Sequence, residues 1–202
     1  LLYVNASCRR THIRGRGTLG RPVATNQAIA PRHRNSKRVR DIMTPVCRVI
    51  GAGAGIGGNV GKRFAREGYH AVLCRRTDQE GLDRLVQDIE SDGGSASGYL
   101  LNAIAPDTIE ERIAAVEADI GPIEVLVFNL GAQIGTRDLG DTTYKAFEMG
   151  WRLATFGLFR AASAVSPAMV ARGKGTILVT SATAAVRGNA GQHSHAAAMA
   201  GR

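Results

Sequence analysis

Cysteine is scarce in this 202-residue chain: Cys8, Cys47 and Cys74 are the whole set. An odd, sparse set without paired spacing excludes a disulfide framework and a thiolate metal centre, and it suits a reducing compartment. The histidines offer no metal site either. His193 and His195 are two apart and point to different faces of a helix, whereas a metal pair is spaced i, i+4. No apolar run approaches the ~20 residues of a membrane span, so no membrane partner is expected. Acidic residues are nearly missing from residues 1 to 45, which carry nine Arg, one Lys and the single acid Asp41. Residues 46 to 202 carry 16 basic and 16 acidic residues. The formal charge of +9 therefore belongs to the leader alone.

Three readings are open for that leader. A basic arm binds nucleic acid, but this one lacks aromatic interleaving beyond Tyr3, which makes nucleic acid an unlikely partner. An Arg-rich, acid-poor segment also fits mitochondrial targeting, yet Gly15, Gly17, Gly20, Pro22 and Pro31 break the amphipathic helix it would need. The third reading is a segment that is disordered or not native protein, since the chain starts at Leu1 and Met43 precedes the first clear strand. The third is preferred. Residues 1–42 are thus expected to stay outside the fold, and 43–202 to form one domain. The expected location is cytoplasmic, or mitochondrial if the leader is genuine.

The richest stretch is Val49-Ile50-Gly51-Ala52-Gly53-Ala54-Gly55-Ile56-Gly57-Gly58. Apolar residues feed a glycine turn, and a helix-like run follows. A helix start presents free N–H groups and partial positive charge, and glycines let the backbone approach a pyrophosphate. Gly53-x-Gly55-x-x-Gly58 satisfies the generic dinucleotide fingerprint, which is weak alone and stronger in a βαβ context.

That context is present. Val46 to Ile50 reads as a buried strand, Asn59 to Gly68 as a helix, and His70 to Cys74 as a second strand. Thr77 and Glu80 read as a capping box, opening a helix that carries Leu82, Leu85, Val86 and Ile89. Gly98 to Leu101 reads as a third strand. Asp107 caps a helix with Ile109, Ile113, Val116 and Ile120. Ile123 to Phe128 is a fourth strand, Thr142 to Val170 a long helix, Ile177 to Thr180 a fifth strand, and residues 192 to 202 open a last helix. Alternation of this kind gives an α/β fold, a doubly wound parallel sheet of the Rossmann type. The sheet is expected to be incomplete at its C-terminal side, with an exposed apolar edge at the fifth strand.

Several segments together resemble the short-chain dehydrogenase/reductase family. Gly51-x-x-x-Gly55-x-Gly57 resembles its cofactor turn. Phe128-Asn129-Leu130-Gly131-Ala132 resembles its Asn-Asn-Ala-Gly segment. Gly175 to Ser181 resembles its fifth strand, and Arg187-Gly188-Asn189-Ala190-Gly191 the loop before its active-site helix. The likeness spans residues 46 to 202. It implies an oxidoreductase that uses a nicotinamide dinucleotide on a small carbonyl or alcohol, and it implies pairing of subunits through the long helix.

The resemblance assigns the cofactor half residue by residue. Gly51 gives the tight turn, Gly55 the close approach and Gly57 the helix packing, with Ile56 in the same turn. Where the family carries an acid that favours NAD, this chain has Arg75 and then Arg76. A guanidinium pairs with a 2′-phosphate, so NADP is expected, with NAD as the alternative. Asn102 stands near the adenine, and Asn129 and Gly131 near the ribose.

The catalytic half departs from the pattern. His195 falls at the position of the family's Tyr and Met199 at that of its Lys. Ala182 falls at the Ser position between Ser181 and Thr183, and Ala154 at the Asn position. His195 remains as a proton donor, since imidazole titrates near ~6.5, and Ser181 as a hydroxyl for the substrate oxygen. The alternative function is a nucleotide-holding pseudoenzyme or inactive fragment.

Overall fold

The computed structural model describes residues 2–5, 43–131, 138–188 and 190–202. Two central strands follow from dense apolar runs, each holding one charged residue (Arg48, Glu124): β2 (Val46–Ile50) and β5 (Ile123–Phe128). They are flanked by β3 (His70–Arg75), β4 (Ser95–Leu100) and β6 (Thr176–Val179). With β1 at Leu2–Asn5, the sheet order is β1-β6-β5-β2-β3-β4, and β2 to β6 are all parallel. The chain winds outward from β2 in both directions. The strand order therefore reverses between β2 and β5, the crevice position of an open α/β sheet.

Helices cover both faces, which is why the strands are apolar on both. α1 (Ile56–Arg66) and α2 (Gln79–Ser91) lie over Cys47, Val49, Leu73, Val125 and Val127. α3 (Thr108–Asp119) and α5 (Gly157–Arg172) lie over Val46, Ile50, Val72, Leu126 and Phe128. Arg160 of α5 grips Glu110 of α3 with Nε–Oε1 at 2.7 Å and donates to the carbonyls of Ala103 and Ala105. α4 (Tyr144–Trp151) runs into α5 through a π-helical segment, Arg152–Phe156, and α6 (His193–Ala200) packs against it.

Three sequence expectations are corrected. The cap of α2 is Asp78, not Thr77: its Oδ1 accepts from Gly81 N at 2.9 Å, and its backbone is left-handed at φ 67°. Arg75 fixes it there, with Nη2 at 2.9 Å from the other carboxylate oxygen. The edge of β6 is not open. Residues Leu2–Asn5 form β1 and pair antiparallel with Val179 to Thr176, so this part of the leader lies inside the fold. The remainder of 1–42, with Cys8 and the basic residues 9 to 40, lies outside the described residues. Finally, Tyr144–Arg172 is one 29-residue helical stretch that by length and composition is apolar enough to cross a bilayer. Its Ala161, Val165 and Met169 are nonetheless core residues under the sheet.

One residue contradicts the apolar logic of β2. Arg48 has no exposed surface, and among the described residues Nε, Nη1 and Nη2 have no hydrogen-bond partner. Burial pushes its pKa down; the buried Cys74 thiol opposes this and Arg112 adds to it. Replacing buried ionic groups by well-packed apolar residues is often neutral or stabilises by about 1–4 kcal/mol. Arg48→Met is therefore expected to raise the free energy of unfolding by up to about that amount, read as a higher urea midpoint with an unchanged slope. A lower midpoint would show that the guanidinium has a stabilising partner.

Candidate functional site

The site begins where β2 ends. Gly51 takes φ +98°, and its N–H and that of Ala52 both donate to the Cys74 carbonyl at 2.8 Å. Asn129, just past β5, donates from Nδ2 to the Gly51 carbonyl at 2.9 Å and from its backbone N–H to Ile50 at 2.8 Å. A Cβ at Gly51 would stand 2.8 Å from the Asn129 carbonyl oxygen. One on Gly57 would run into the Gly51 carbonyl and lie 2.9 Å from Asn129 Nδ2. Gly53 and Gly55 differ, because a Cβ on either meets no atom within 4 Å. Gly51, Gly57 and Gly58 thus close the turn on itself, and Gly53 and Gly55 form its open side. The close helix–sheet approach expected at Gly57 occurs at Gly61, whose Cβ would lie 2.6 Å from Leu73. Gly61 was missed because it lies beyond the fingerprint.

α1 starts at this turn without a side-chain cap and without an acid in its first turn, and Ile56 is exposed there. The Gly58 and Asn59 N–H groups donate to the Gly53 and Gly55 carbonyls, and the N–H groups of Ile56 and Gly57, with the helix dipole, are left for an anion. The residues present fit a dinucleotide pyrophosphate: an open glycine floor, an uncapped helix start and a switch point beside them.

Two clefts flank the turn. One, of about 370 Å³, is bordered by Ala54, Lys62, Arg75 and Arg84. Each of its cations already faces a carboxylate: Lys62 to Asp88 at 2.7 Å, Arg75 to Asp78 at 2.9 Å, Arg84 to Glu80 at 3.7 Å. The other, of about 590 Å³, lies between Arg76, Leu101, Leu130, Gly131 and the α4 residues Lys145 and Met149. Arg76 is exposed and makes no ion pair among the described residues. The structure so separates two residues that the sequence treats alike. Asn102 lies at the end of β4, its Oδ1 3.4 Å from the Ile104 N–H and its backbone carbonyl accepting from Thr108 Oγ1 at 2.8 Å.

The catalytic positions sit beyond β6. Ser181 and Thr183 are exposed, and the short turn Thr183–Ala185 packs against α6. His195 is half-buried, with Nδ1 shielded and without a hydrogen-bond partner among the described residues. Met199 is buried. Ala154 lies in the π-helical segment against Ala198, both without exposed surface, and the neighbouring Thr155 donates to the Ala198 carbonyl at 2.9 Å. π segments recur at functional sites, and this one brings α6 close to the long helix. Ala132 and Asn189, quoted above in the two loop motifs, lie outside the described residues. Arg202 was also missed. Its Nη1 donates to the Thr180 carbonyl at 2.6 Å and its Nη2 to the Leu130 carbonyl. Only the i, i+4, i+7 spacing from His195 through Met199 could have signalled it.

The glycine geometry separates ligand from fold. Gly55→Val adds atoms on the open side and is expected to leave the melting curve near wild type while abolishing dinucleotide binding in a fluorescence titration. Gly57→Val drives atoms into the Gly51 carbonyl and is expected to lose the cooperative melt itself. Equal damage to the melt from both would mean that Gly55 is structural.

Comparison with known proteins agrees with this geometry. Residues 45–201 match the short chain dehydrogenase family. A 3-oxoacyl-[acyl-carrier-protein] reductase of Thermotoga maritima is 34% identical over 160 residues, which are 77% of this chain and 63% of that protein. Gluconate 5-dehydrogenase of Gluconobacter oxydans is 32% identical over 130 residues, 64% of this chain and 50% of the enzyme. The chain thus spans less than two thirds of the length of these relatives. Among solved structures, a short-chain dehydrogenase from Rhodopseudomonas palustris is 35% identical with a TM-score of 0.73, covering 78% of this chain and 73% of that one. A variant actinorhodin polyketide ketoreductase solved with NADPH has a TM-score of 0.72 at 28% identity, covering 78% and 60%. Taken with the glycine turn at the switch point, the match over residues 45–201 makes this chain a member of the short chain dehydrogenase family.

Proposed function

We propose that this chain is an NADP-linked oxidoreductase acting on a small carbonyl or alcohol. The observation that carries the reading is the open side of the glycine turn, Gly53 and Gly55, set before an uncapped helix start at the sheet's switch point. When bound, the nicotinamide supplies or accepts the hydride. Gly51 to Gly57 and the first turn of α1 would hold the pyrophosphate, and Asn129 keeps β5 and the turn in register. Arg76, rather than the ion-paired Arg75, would meet the 2′-phosphate. Ser181 would orient the substrate oxygen, and His195 would give or take its proton. Trp151, Phe156 and Phe159 stack in series on the exposed face of the long helix, with centroids 5.4 and 6.3 Å apart, which supports pairing of two copies there. The buried free thiols Cys47 and Cys74 suit a reducing compartment such as the cytoplasm.

A second reading, a nucleotide-holding protein without turnover, is favoured by Ala154, Ala182 and Met199 at positions where the family works with polar groups.

Cofactor choice is tested by titrating NADPH and NADH. Wild type is expected to prefer NADPH by about tenfold, the effect of one charged hydrogen bond, with Arg76→Ala erasing the preference and Arg75→Ala changing it less. Equal affinity for both in wild type would remove the NADP assignment. Turnover tests the chemistry. His195→Phe is expected to abolish reduction while leaving cofactor affinity unchanged. Wild-type turnover should itself be slow, since poorly supported proton transfer costs ~10²–10⁴-fold. Undiminished reduction by His195→Phe would exclude it as donor, and no turnover in wild type would favour the second reading.

A further inference from the structure

Arg75 ends β3 one residue after Cys74, whose carbonyl receives the Gly51 and Ala52 N–H groups. Its own carbonyl accepts from the Leu101 N–H at 2.8 Å. The backbone of Arg75 is thus fixed beside the glycine turn, and its side chain borders the smaller cleft together with Ala54, Gly58 and Asn59. Of the three cations there it is the most withdrawn from water, with 22% of its side chain exposed against 30% for Lys62 and 68% for Arg84. A less hydrated charge depends more on its partner. That partner is Asp78.

Asp78 has two duties. Its Oδ1 accepts from the Gly81 N–H and starts α2, while its Oδ2 lies 2.9 Å from Arg75 Nη2. Its backbone is left-handed at φ 67°, a conformation that Gly, Asn and Asp adopt more readily than other residues. The pair also needs a glycine at position 81. A Cβ there would collide with Asp78 Oδ2 and stand 2.7 Å from Arg75 Nη1. Glycine is unfavourable inside a helix, and a neutral Asn caps a helix as well as Asp does. Starting α2 therefore requires neither Gly81 nor a charge at position 78. Both serve to seat a carboxylate on the Arg75 guanidinium.

A phosphate entering the smaller cleft would have to displace Asp78 from Arg75 and would then face the released carboxylate. Arg76, on the larger cleft, makes no ion pair among the described residues. On the reading given under Proposed function, we infer that Asp78 sets how strongly the cofactor's 2′-phosphate is held: it occupies Arg75 as an internal anion and leaves the phosphate to Arg76. Asp78 acts through Arg75 and is a positioning residue. An amide at position 78 keeps the cap through its oxygen but turns an NH2 group toward Nη2, and two donors do not pair. Arg75 is then released to meet a phosphate.

The test compares adenosine 2′,5′-bisphosphate with adenosine 5′-monophosphate on the full chain, two ligands that differ only in the 2′-phosphate. Asp78→Asn is expected to tighten the bisphosphate by about tenfold, the effect of one charged hydrogen bond, and to leave the monophosphate unchanged. In that background Arg75→Ala should cancel the gain, and Arg76→Ala should no longer erase discrimination between the two ligands. The melting temperature should stay near that of wild type, because Asn both caps a helix and tolerates a positive φ. If Asp78→Asn does not fold, Asp78→Gly takes its place, since glycine adopts this backbone freely and is a fair cap. Unchanged discrimination in the folded variant would overturn the inference. So would equal tightening of both ligands, or a gain that survives Arg75→Ala. If wild type discriminates through Arg76 while Asp78→Asn adds nothing, the proposed function stands and this inference alone falls. If wild type binds neither ligand and no dinucleotide, the proposed function fails and this inference with it.

Discussion

The hydrogen bond from Asn129 Nδ2 to the Gly51 carbonyl holds the molecule's two halves at the line where they diverge. β2 and β5 are neighbours in space but are separated by β3, β4 and three helices in sequence. Parallel pairing alone would let their ends splay, because each strand leaves for opposite wings of the sheet. Gly51 can accept this bond because its backbone turns to a positive φ, which swings its carbonyl toward β5 while its N–H still reaches Cys74. The same contact excludes side chains at positions 51 and 57. A single amide thereby fixes the floor of the crevice, the start of α1 and the spacing of the strands on which any ligand must rest.

From that point the two wings have different characters. On the β3–β4 side the cations of the smaller cleft are matched with carboxylates, whereas Arg76 and Lys145 of the larger one make no ion pair among the described residues. On the β6 side the surface is poor in charge: alanines meet across α6 and the π segment, and one guanidinium leans on backbone carbonyls. An arrangement with paired charges needs no ligand to be stable, whereas the exposed Arg76 is held by water and is free to exchange it for an anion.

The legibility of each element followed its chemistry. The bounds of β2 and β5 were readable to the residue, because strands buried on both faces read as dense apolar runs, interrupted here only by Arg48 and Glu124. β4 was read late, as Gly98 to Leu101 instead of Ser95–Leu100. Its first half is held by serines, with His70 bridging Ser95 at 2.6 Å and Ser97 at 2.9 Å, and such polar pairing leaves no hydrophobic signature. Arg75 was legible as a charge but not as a spent one, since that depends on Asp78 acting as helix cap three residues later. The glycine floor was readable because few other sequences make that turn. Arg202 was not, because its surroundings are backbone atoms contributed by two remote strands.

The antiparallel strand at Leu2–Asn5 has a consequence for the order of events in folding. It pairs with residues 176–179, far along the chain. During synthesis it waits, unpaired, until those residues have emerged. Closing so long a loop is entropically slow, although its cost grows only logarithmically with length. Residues 2–5 therefore join the sheet only after β2 to β5 have had the chance to pair.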